Sequence, residues 1–243
     1  MSRESAAPYE SPELRRVTGP ALRPGGLALT ERAVELCGFA PGERVLDIGC
    51  GLGTSVHHLA EAHGFNALGL DLSPMMLAQA RQEHPGLVLL RGEASALPLA
   101  SASLHGVFLE CVLSLAASPS AALAECYRVL RPGGWLVLSD LYFRAPQLVA
   151  VDSPLPGCLG GARGREGWQD MVRAAGLELT IWEDHSDYLR QLAAQLAWSQ
   201  GSATALWGDC GSGDSCRDMN EKIARVRPGY FLLLARKKAE RHG

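Results

Sequence analysis

Three glycines at alternate positions, Gly49, Gly51 and Gly53, follow an acid, Asp47, at the end of a short apolar run. Glycine adopts the positive φ of a tight turn and lets a ligand lie against bare backbone. The polar residue Thr54 then opens an amphipathic segment, whose first N–H groups would face the same ligand. This is the chemistry of a pocket floor. Further acids recur where apolar runs stop, at Asp71, Glu93, Glu110 and Asp140. A carboxylate has two oxygens and accepts paired donors such as vicinal hydroxyls. In the second half, Cys158, Cys210 and Cys216 lie in glycine-rich stretches and are candidate thiol ligands on an acceptor side. No nucleophile–base pair stands out by spacing, and His57 and His58 read as surface or packing residues.

The elements needed to position these groups are legible in the patterning. Pro8, Pro12 and Pro20 mark residues 1–29 as a loose lead-in, with Leu22–Gly26 as turn material. Thr30 reads as the N-cap of a helix through Cys37, with Gly38 ending it. A first strand leads into the glycine turn, and a helix runs from about Thr54 to His63. Strands then follow at Asn66–Asp71, Leu87–Arg91, Leu104–Glu110 and Trp135–Ser139. Helices begin at Ser73-Pro74 and Ser118-Pro119, an N-cap serine followed by proline in the first turn. Arg131–Gly134 closes the second of these before strand five. Residues 144–167 are rich in Gly and Pro and lack periodicity. A helix at Glu166–Ala175, a strand at Leu177–Trp182, a helix at Tyr188–Trp198 and a strand at Tyr230–Ala235 complete the chain. This rhythm predicts an α/β fold with a Rossmann-like open sheet of about seven strands. The sheet is mostly parallel with an antiparallel edge strand, and helices cover both faces.

The bulk numbers bound the partners. With 243 residues and a net charge of -3, the chain gives no general electrostatic reason to bind nucleic acid or an anionic membrane. No apolar run reaches the roughly 18–20 residues of a membrane span. The N-terminus lacks an apolar signal region, so a cytoplasmic location is expected. Seven cysteines are an odd number, consistent with free thiols in a reducing compartment. The oligomeric state is not encoded in any pattern recognised here.

Two cofactor patterns compete at the glycine turn. A dinucleotide fingerprint needs Gly-x-Gly-x-x-Gly, and both frames fail: Gly49 leads to Thr54, and Gly51 to Val56. The chain has instead Asp-x-Gly-x-Gly-x-Gly, which resembles the first motif of the class I S-adenosylmethionine (SAM) methyltransferases. That resemblance covers roughly residues 42–141. It implies SAM as methyl donor, S-adenosylhomocysteine as product, and a cofactor site made of Asp47, Gly49, Cys50, Gly51, Gly53, Asp71, Leu72, Met76, Glu93, Ala94 and Glu110. Asp71 would take the ribose hydroxyls, Leu72 and Met75 or Met76 the adenine faces, and Gly92-Glu93-Ala94 the adenine edge. The run Arg128–Gly134 is also typical of that superfamily.

Outside the cofactor half, Glu110-Cys111-Val112-Leu113-Ser114-Leu115, Leu138–Tyr142 and Cys158-Leu159-Gly160-Gly161 look like segments of the arsenite methyltransferases. In that family a cysteine before Leu-Gly-Gly binds trivalent arsenic, and Cys158 matches it. Thiolates suit such a soft centre. The family's upstream cysteine has no counterpart here, where Leu22–Gly26 stands. Five residues between Cys210 and Cys216 exceed the usual zinc spacing, and no metal site is expected. The expectation is one methyltransferase domain over 1–243, with a SAM-binding core at 42–141 and an acceptor-side half at 142–243. Its reaction is methyl transfer from SAM to a small molecule. Arsenite methylation is one alternative, and a non-catalytic SAM-binding or metalloid-binding protein is another.

Overall fold

The computed structural model describes residues 19, 21, 23–146, 155, 157–200 and 221–239. Its elements are α1 (Gly26–Cys37), β1 (Arg44–Ile48), α2 (Thr54–His63), β2 (Asn66–Asp71), α3 (Pro74–Glu83), β3 (Val88–Arg91), β4 (Leu104–Glu110), a 3-10 turn at Leu113–Leu115, α4 (Pro119–Val129) and β5 (Leu130–Phe143). The second half adds α5 (Cys158–Gly161), β6 (Arg163–Gly164), α6 (Arg165–Ala174), β7 (Leu177–Asp184), α7 (Ser186–Gln200) and β8 (Pro228–Lys237). The strands form one sheet in the order β3-β2-β1-β4-β5-β8-β7, with the two-residue β6 beside β5. Strands β1 to β5 are parallel, and β8 runs antiparallel to both β5 and β7. The expected late pair therefore closes the far edge, with β8 inserted next to the outermost strand, β7.

Alternating side chains divide the core between the two faces of this sheet, as a strand's period of two requires. Leu46, Val107, Leu109, Leu136, Leu138, Phe231 and Leu233 pack against α4 and α6 through Leu123, Cys126, Trp168 and Val172. Val45, Phe108, Val137, Tyr230, Leu232 and Leu234 face the other way, onto Leu29, Ala33 and Val34 of α1, Leu59 of α2 and Leu189 of α7. The central strands are buried on both faces, which is why they read as near-continuous apolar runs.

Two sequence expectations change. Helix α1 starts at Gly26 rather than after Thr30, with Gly25 as its N-cap. The Thr30 hydroxyl is fully buried and engaged in tertiary hydrogen bonds, so it is not available to cap a helix. Strand β5 begins at Leu130, so Arg131–Gly134 lies inside the strand rather than before it. The extra residues are absorbed where the β4–β5 register shifts between Leu104↔Leu130 and Gly106↔Trp135. By contrast, Ser73 caps α3 as expected, its Oγ accepting from the Met76 N–H at 3.2 Å.

Candidate functional site

At the carboxyl ends of β1, β2 and β4 the chain reverses, and open α/β sheets bind ligands at such ends. The glycine turn is tied to the end of β2. Gly49 and Cys50 N–H groups donate to the Leu70 carbonyl at 2.7 and 3.1 Å, and the Gly51 N–H donates to Asp71 Oδ2 at 2.8 Å. Gly49, Gly51 and Gly53 all have positive φ, at 73°, 52° and 74°. Glycine adopts this conformation at all three alternate positions without strain. Space reinforces the choice at Gly49, where a Cβ would sit 2.3 Å from Val112 Cγ2.

Asp71 Oδ1 accepts the Ser73 N–H at 2.8 Å, so each of its oxygens already holds one backbone donor. Each oxygen keeps a second acceptor position, which leaves the carboxylate pinned yet able to take two hydroxyls. The Gly92 N–H donates to the Asp71 carbonyl at 3.1 Å, which brings the Gly92-Glu93-Ala94 turn beside β2. Glu93 is exposed and accepts from Ser95 Oγ at 3.3 Å, and Ala94 is half-buried. Leu72 is exposed, whereas Met76 is buried, with its Cε 3.3 Å from where a Cβ on Gly51 would lie. Met76 therefore supports the turn from below. Cys50 turns its thiol into the core with Val56 and Leu77, and its carbonyl accepts the Gly53 N–H at 2.8 Å. Burial pushes that thiol's pKa up.

Asp47 and Glu110 are both buried, on the neighbouring strands β1 and β4. Burial and the nearby Glu110 hold Asp47 well above the usual carboxylate range. Burial also raises Glu110, against the opposing pull of Arg23 and Thr30. Arg23 forms a buried ion pair with Glu110 at 2.8 Å. It also donates through Nη2 to Thr30 Oγ1 at 2.5 Å and Ser55 Oγ at 3.1 Å. Arg23, Thr30 and Ser55 were not recognisable from sequence. Arg23 sits in what reads as turn material, outside every motif, and meets Glu110 only because α1 packs over β4.

A second group of polar side chains lies at the ends of β4 and β5. Cys111 has a left-handed φ of 61°. Its Sγ lies 3.1 Å from the Tyr230 hydroxyl, itself 3.1 Å from Ser139 Oγ. Asp140, fully buried, accepts from the Ser114 N–H at 2.9 Å, Ser114 Oγ at 2.7 Å and the Leu141 N–H at 2.8 Å. Burial pushes its carboxyl up to about 6 against these hydrogen bonds. The short helix α5 docks on the 113–115 turn with no room between them: a Cβ on Gly161 would lie 1.9 Å from the Ser114 carbonyl oxygen. The Leu-Gly-Gly after Cys158 is thus a close-packing device that brings Cys158 to the cluster. Cys111 and Cys158 are electrostatic neighbours, both partly buried against the same core. Burial and Asp140 push the Cys158 thiol up to about 12, and burial, Asp140 and Cys158 hold Cys111 well above its ordinary value. Cys210 and Cys216 lie outside the described residues.

Elsewhere, His57 stacks on His84 with ring centroids 4.3 Å apart. His58 and His63 hydrogen-bond one oxygen of Glu31, a group close enough to hold a metal ion; these hydrogen bonds account for its arrangement. Among the described residues no helix is long and apolar enough to cross a membrane.

A family model described as a methyltransferase domain matches residues 46–138. The demethylmenaquinone methyltransferase of Renibacterium salmoninarum is 39% identical over 181 residues, covering 72% of this chain and 74% of that protein. The arsenite methyltransferase of Halobacterium salinarum is 35% identical over 150 residues, 58% of this chain. The match spans only 38% of that relative's length. Among solved structures, the [4+2]-cyclase SpnF superposes with a TM-score of 0.75 at 24% identity, covering 96% of this chain and 94% of that one. Phosphoethanolamine N-methyltransferase 2 of Haemonchus contortus, solved with SAM, gives 0.70 at 18%, covering 93% and 56%. At these identities the structural matches speak for the fold, and one fold carries several chemistries. The glycine motif and the relatives nevertheless agree: the chain belongs to the class I SAM-dependent methyltransferases.

Proposed function

We propose that the chain transfers a methyl group from SAM to a small molecule bound over the ends of β4 and β5. The observation that carries the cofactor half is the Gly51–Asp71 bond. It joins a turn of bare backbone to a carboxylate with two free acceptor positions, and no dinucleotide spacing accompanies it. Asp47, Gly49, the Cys50 backbone, Gly51 and Gly53 would line the methionine end, Asp71 the ribose, and Leu72, Glu93 and Ala94 the adenine. Met76 would act from beneath. SAM supplies a methyl group already activated on a sulfonium, so the protein's work is positioning and exclusion of water. The acceptor side suits that division of labour. Asp140 is committed to Ser114 and Leu141, and orders the turn that carries Val112 against Gly49.

The acceptor is open, since the named relatives are a demethylmenaquinone methyltransferase, an arsenite methyltransferase and a malonyl-[acyl-carrier protein] O-methyltransferase. One observation favours trivalent arsenic as a second reading: Cys111 and Cys158 are electrostatic neighbours, partly buried against the same core, so two thiols are present although the upstream cysteine is missing. Raised thiol pKa values keep both protonated until a soft centre displaces the protons.

The test is a thermal-shift titration with SAM, S-adenosylhomocysteine and NAD, followed by transfer of labelled methyl into a metabolite extract with and without arsenite. Stabilisation by the first two alone, with labelled product, is expected. No shift at millimolar SAM would refute the cofactor reading. Cofactor binding with no product from any extract would point to the non-catalytic alternative. Arsenite binding lost in both Cys111→Ser and Cys158→Ser would support the arsenic reading.

A further inference from the structure

Glu31 on α1 meets two imidazoles from α2. Nε2 of His58 and Nε2 of His63 both hydrogen-bond the same carboxylate oxygen, Oε1, the second at 2.8 Å. A carboxylate has two oxygens and could give one to each ring; here both rings aim at one point. One oxygen and two ring nitrogens therefore lie within 4.8 Å of one another. Among the described residues Glu31 pairs with no arginine or lysine. Arg32, next in the chain, turns instead to Glu35 and Glu183.

Hydrogen bonds tie the three groups together, and packing fixes the rings. His63 is the last residue of α2, and Gly64 ends the helix in the left-handed conformation. That reversal brings Phe65, buried in the core, under the His63 ring, with centroids 5.3 Å apart and 24° between the planes. The two imidazoles meet edge to face at 5.6 Å between centroids. Two imidazoles on one tetrahedral ion stand roughly 5 Å apart, given metal–nitrogen distances of about 2.0–2.1 Å. Direction fits as well. The axis along which Nε2–H donates is the axis along which Nε2 presents its lone pair once the neutral ring carries its proton on Nδ1. Ligand atoms on such an ion lie roughly 3.3 Å apart, so the carboxylate must draw back from the rings by about half an ångström. The Glu31 side chain is 46% exposed against 25% and 23% for His58 and His63, so the carboxylate moves and the rings stay. The same exposure lets an ion enter and water complete its coordination.

We propose that Glu31, His58 and His63 form a binding site for a zinc-class divalent cation that clamps α1 to α2. Two imidazoles and one carboxylate suit zinc, cobalt or nickel, whereas magnesium and calcium prefer all-oxygen sets. The site lies apart from the cysteines and from the proposed cofactor residues, and it does not depend on the SAM reading. It ties α2, which leaves the glycine turn directly after Gly53, to α1, whose Thr30 is bonded to Glu110 at the end of β4. The ion's part is to brace these two elements against each other.

The experiment titrates Zn²⁺ into the full chain by calorimetry, after chelator treatment and with the thiols kept reduced, and follows the melting temperature. At a hundredfold excess of free zinc over Kd, wild type is expected to gain about 5–10 °C. Magnesium and calcium should give no such rise. His58→Gln and His63→Gln keep an amide donor for Glu31 but lose the ring nitrogen. Each should weaken zinc binding at least tenfold, since loss of even an outer-shell partner costs about 10–100-fold. Glu31→Gln, on the other helix, should do the same. Cobalt(II) reports the donors: its visible bands should appear without a thiolate charge-transfer band and be lost in His63→Gln. Equal zinc affinity in wild type and all three variants would place the metal elsewhere and overturn the proposal. So would a thiolate band that persists in the variants, or an equal thermal shift from magnesium. Failure of wild type to bind zinc would also overturn it, and that result needs no variant to fold.

Discussion

Replacing Gly161 with alanine separates the acceptor side of the site from the cofactor side. The position has no left-handed backbone to strain, so the added methyl acts through space alone. Its carbon would lie 1.9, 2.7 and 2.9 Å from the carbonyl oxygen, carbonyl carbon and Cα of Ser114. Side chains essentially never approach closer than 3.0 Å, so α5 and the 113–115 turn must part by about 1.1 Å. The obstacle is backbone on both sides, with no flexible side-chain end to move away. Overpacking of this kind costs about 1–3 kcal/mol. Shifting Ser114 also loosens its two bonds to the buried Asp140, and loss of one charged hydrogen bond costs a further ~1.5–3 kcal/mol. Partial relief leaves a net loss of about 2–4 kcal/mol, or roughly 5–15 °C in melting temperature for a chain of this size. The strain reaches the glycine turn through Val112, which lies against Gly49, so S-adenosylhomocysteine affinity should fall by less than methyl transfer does. If the acceptor sits where we propose, methyl transfer should fall about 100-fold, since displacements near 1 Å can have that effect on positioning. Differential scanning fluorimetry, calorimetry and a labelled-methyl assay read the three quantities. A variant that melts within 1 °C of wild type and turns over normally would show that α5 and the 113–115 turn are not packed as described.

Asp71→Asn keeps the shape but places an amide where at least one backbone N–H now donates. We expect S-adenosylhomocysteine affinity to fall about 10–100-fold by calorimetry; unchanged affinity would remove Asp71 from the ribose site. Acid pH should stabilise the protein. Asp140 is raised from 3.8 to about 6, so the folded chain binds its proton more readily than the unfolded one. The cost of the buried charge is present above pH 6 and is relieved as pH falls from about 6 towards 4, worth up to ~3 kcal/mol. Asp47 and Glu110 act in the same direction. The lowered acids Glu31, Glu125, Glu183 and Asp184 lose their contributions as pH falls through their own range, below this window. Urea unfolding should give a higher midpoint at pH 5 than at pH 7.5; the reverse order would contradict the burial of these acids. A cationic ligand end beside Asp47 should also lower its pKa, so calorimetry of SAM in two buffers of different ionisation enthalpy should show proton release, and uptake would count against that placement.

What the sequence determined by itself is local. The alternating glycines, the acids at strand ends and the Ser-Pro helix starts act within a few residues, through φ, capping and periodicity. For that reason β2, α2, α3 and β4 lie where the patterning puts them, and the glycine turn is legible as a cofactor-pocket floor. Tertiary structure decided everything that depended on residues far apart in the chain meeting. Thr30 resembles an N-cap, yet its hydroxyl serves Arg23 and Glu110, the latter 80 positions away. Arg131–Gly134 has the composition of a turn, yet it lies inside β5 as the irregular stretch between the pairs Leu104↔Leu130 and Gly106↔Trp135. Arg23 carries no local signal, and only the packing of α1 over β4 brings it to Glu110. The two thiols behave likewise: Cys158 is visible through its Leu-Gly-Gly, but its neighbour Cys111 follows from how closely Gly161 lets α5 approach Ser114. Spacing shows what a segment can form, and burial decides which polar groups must answer one another.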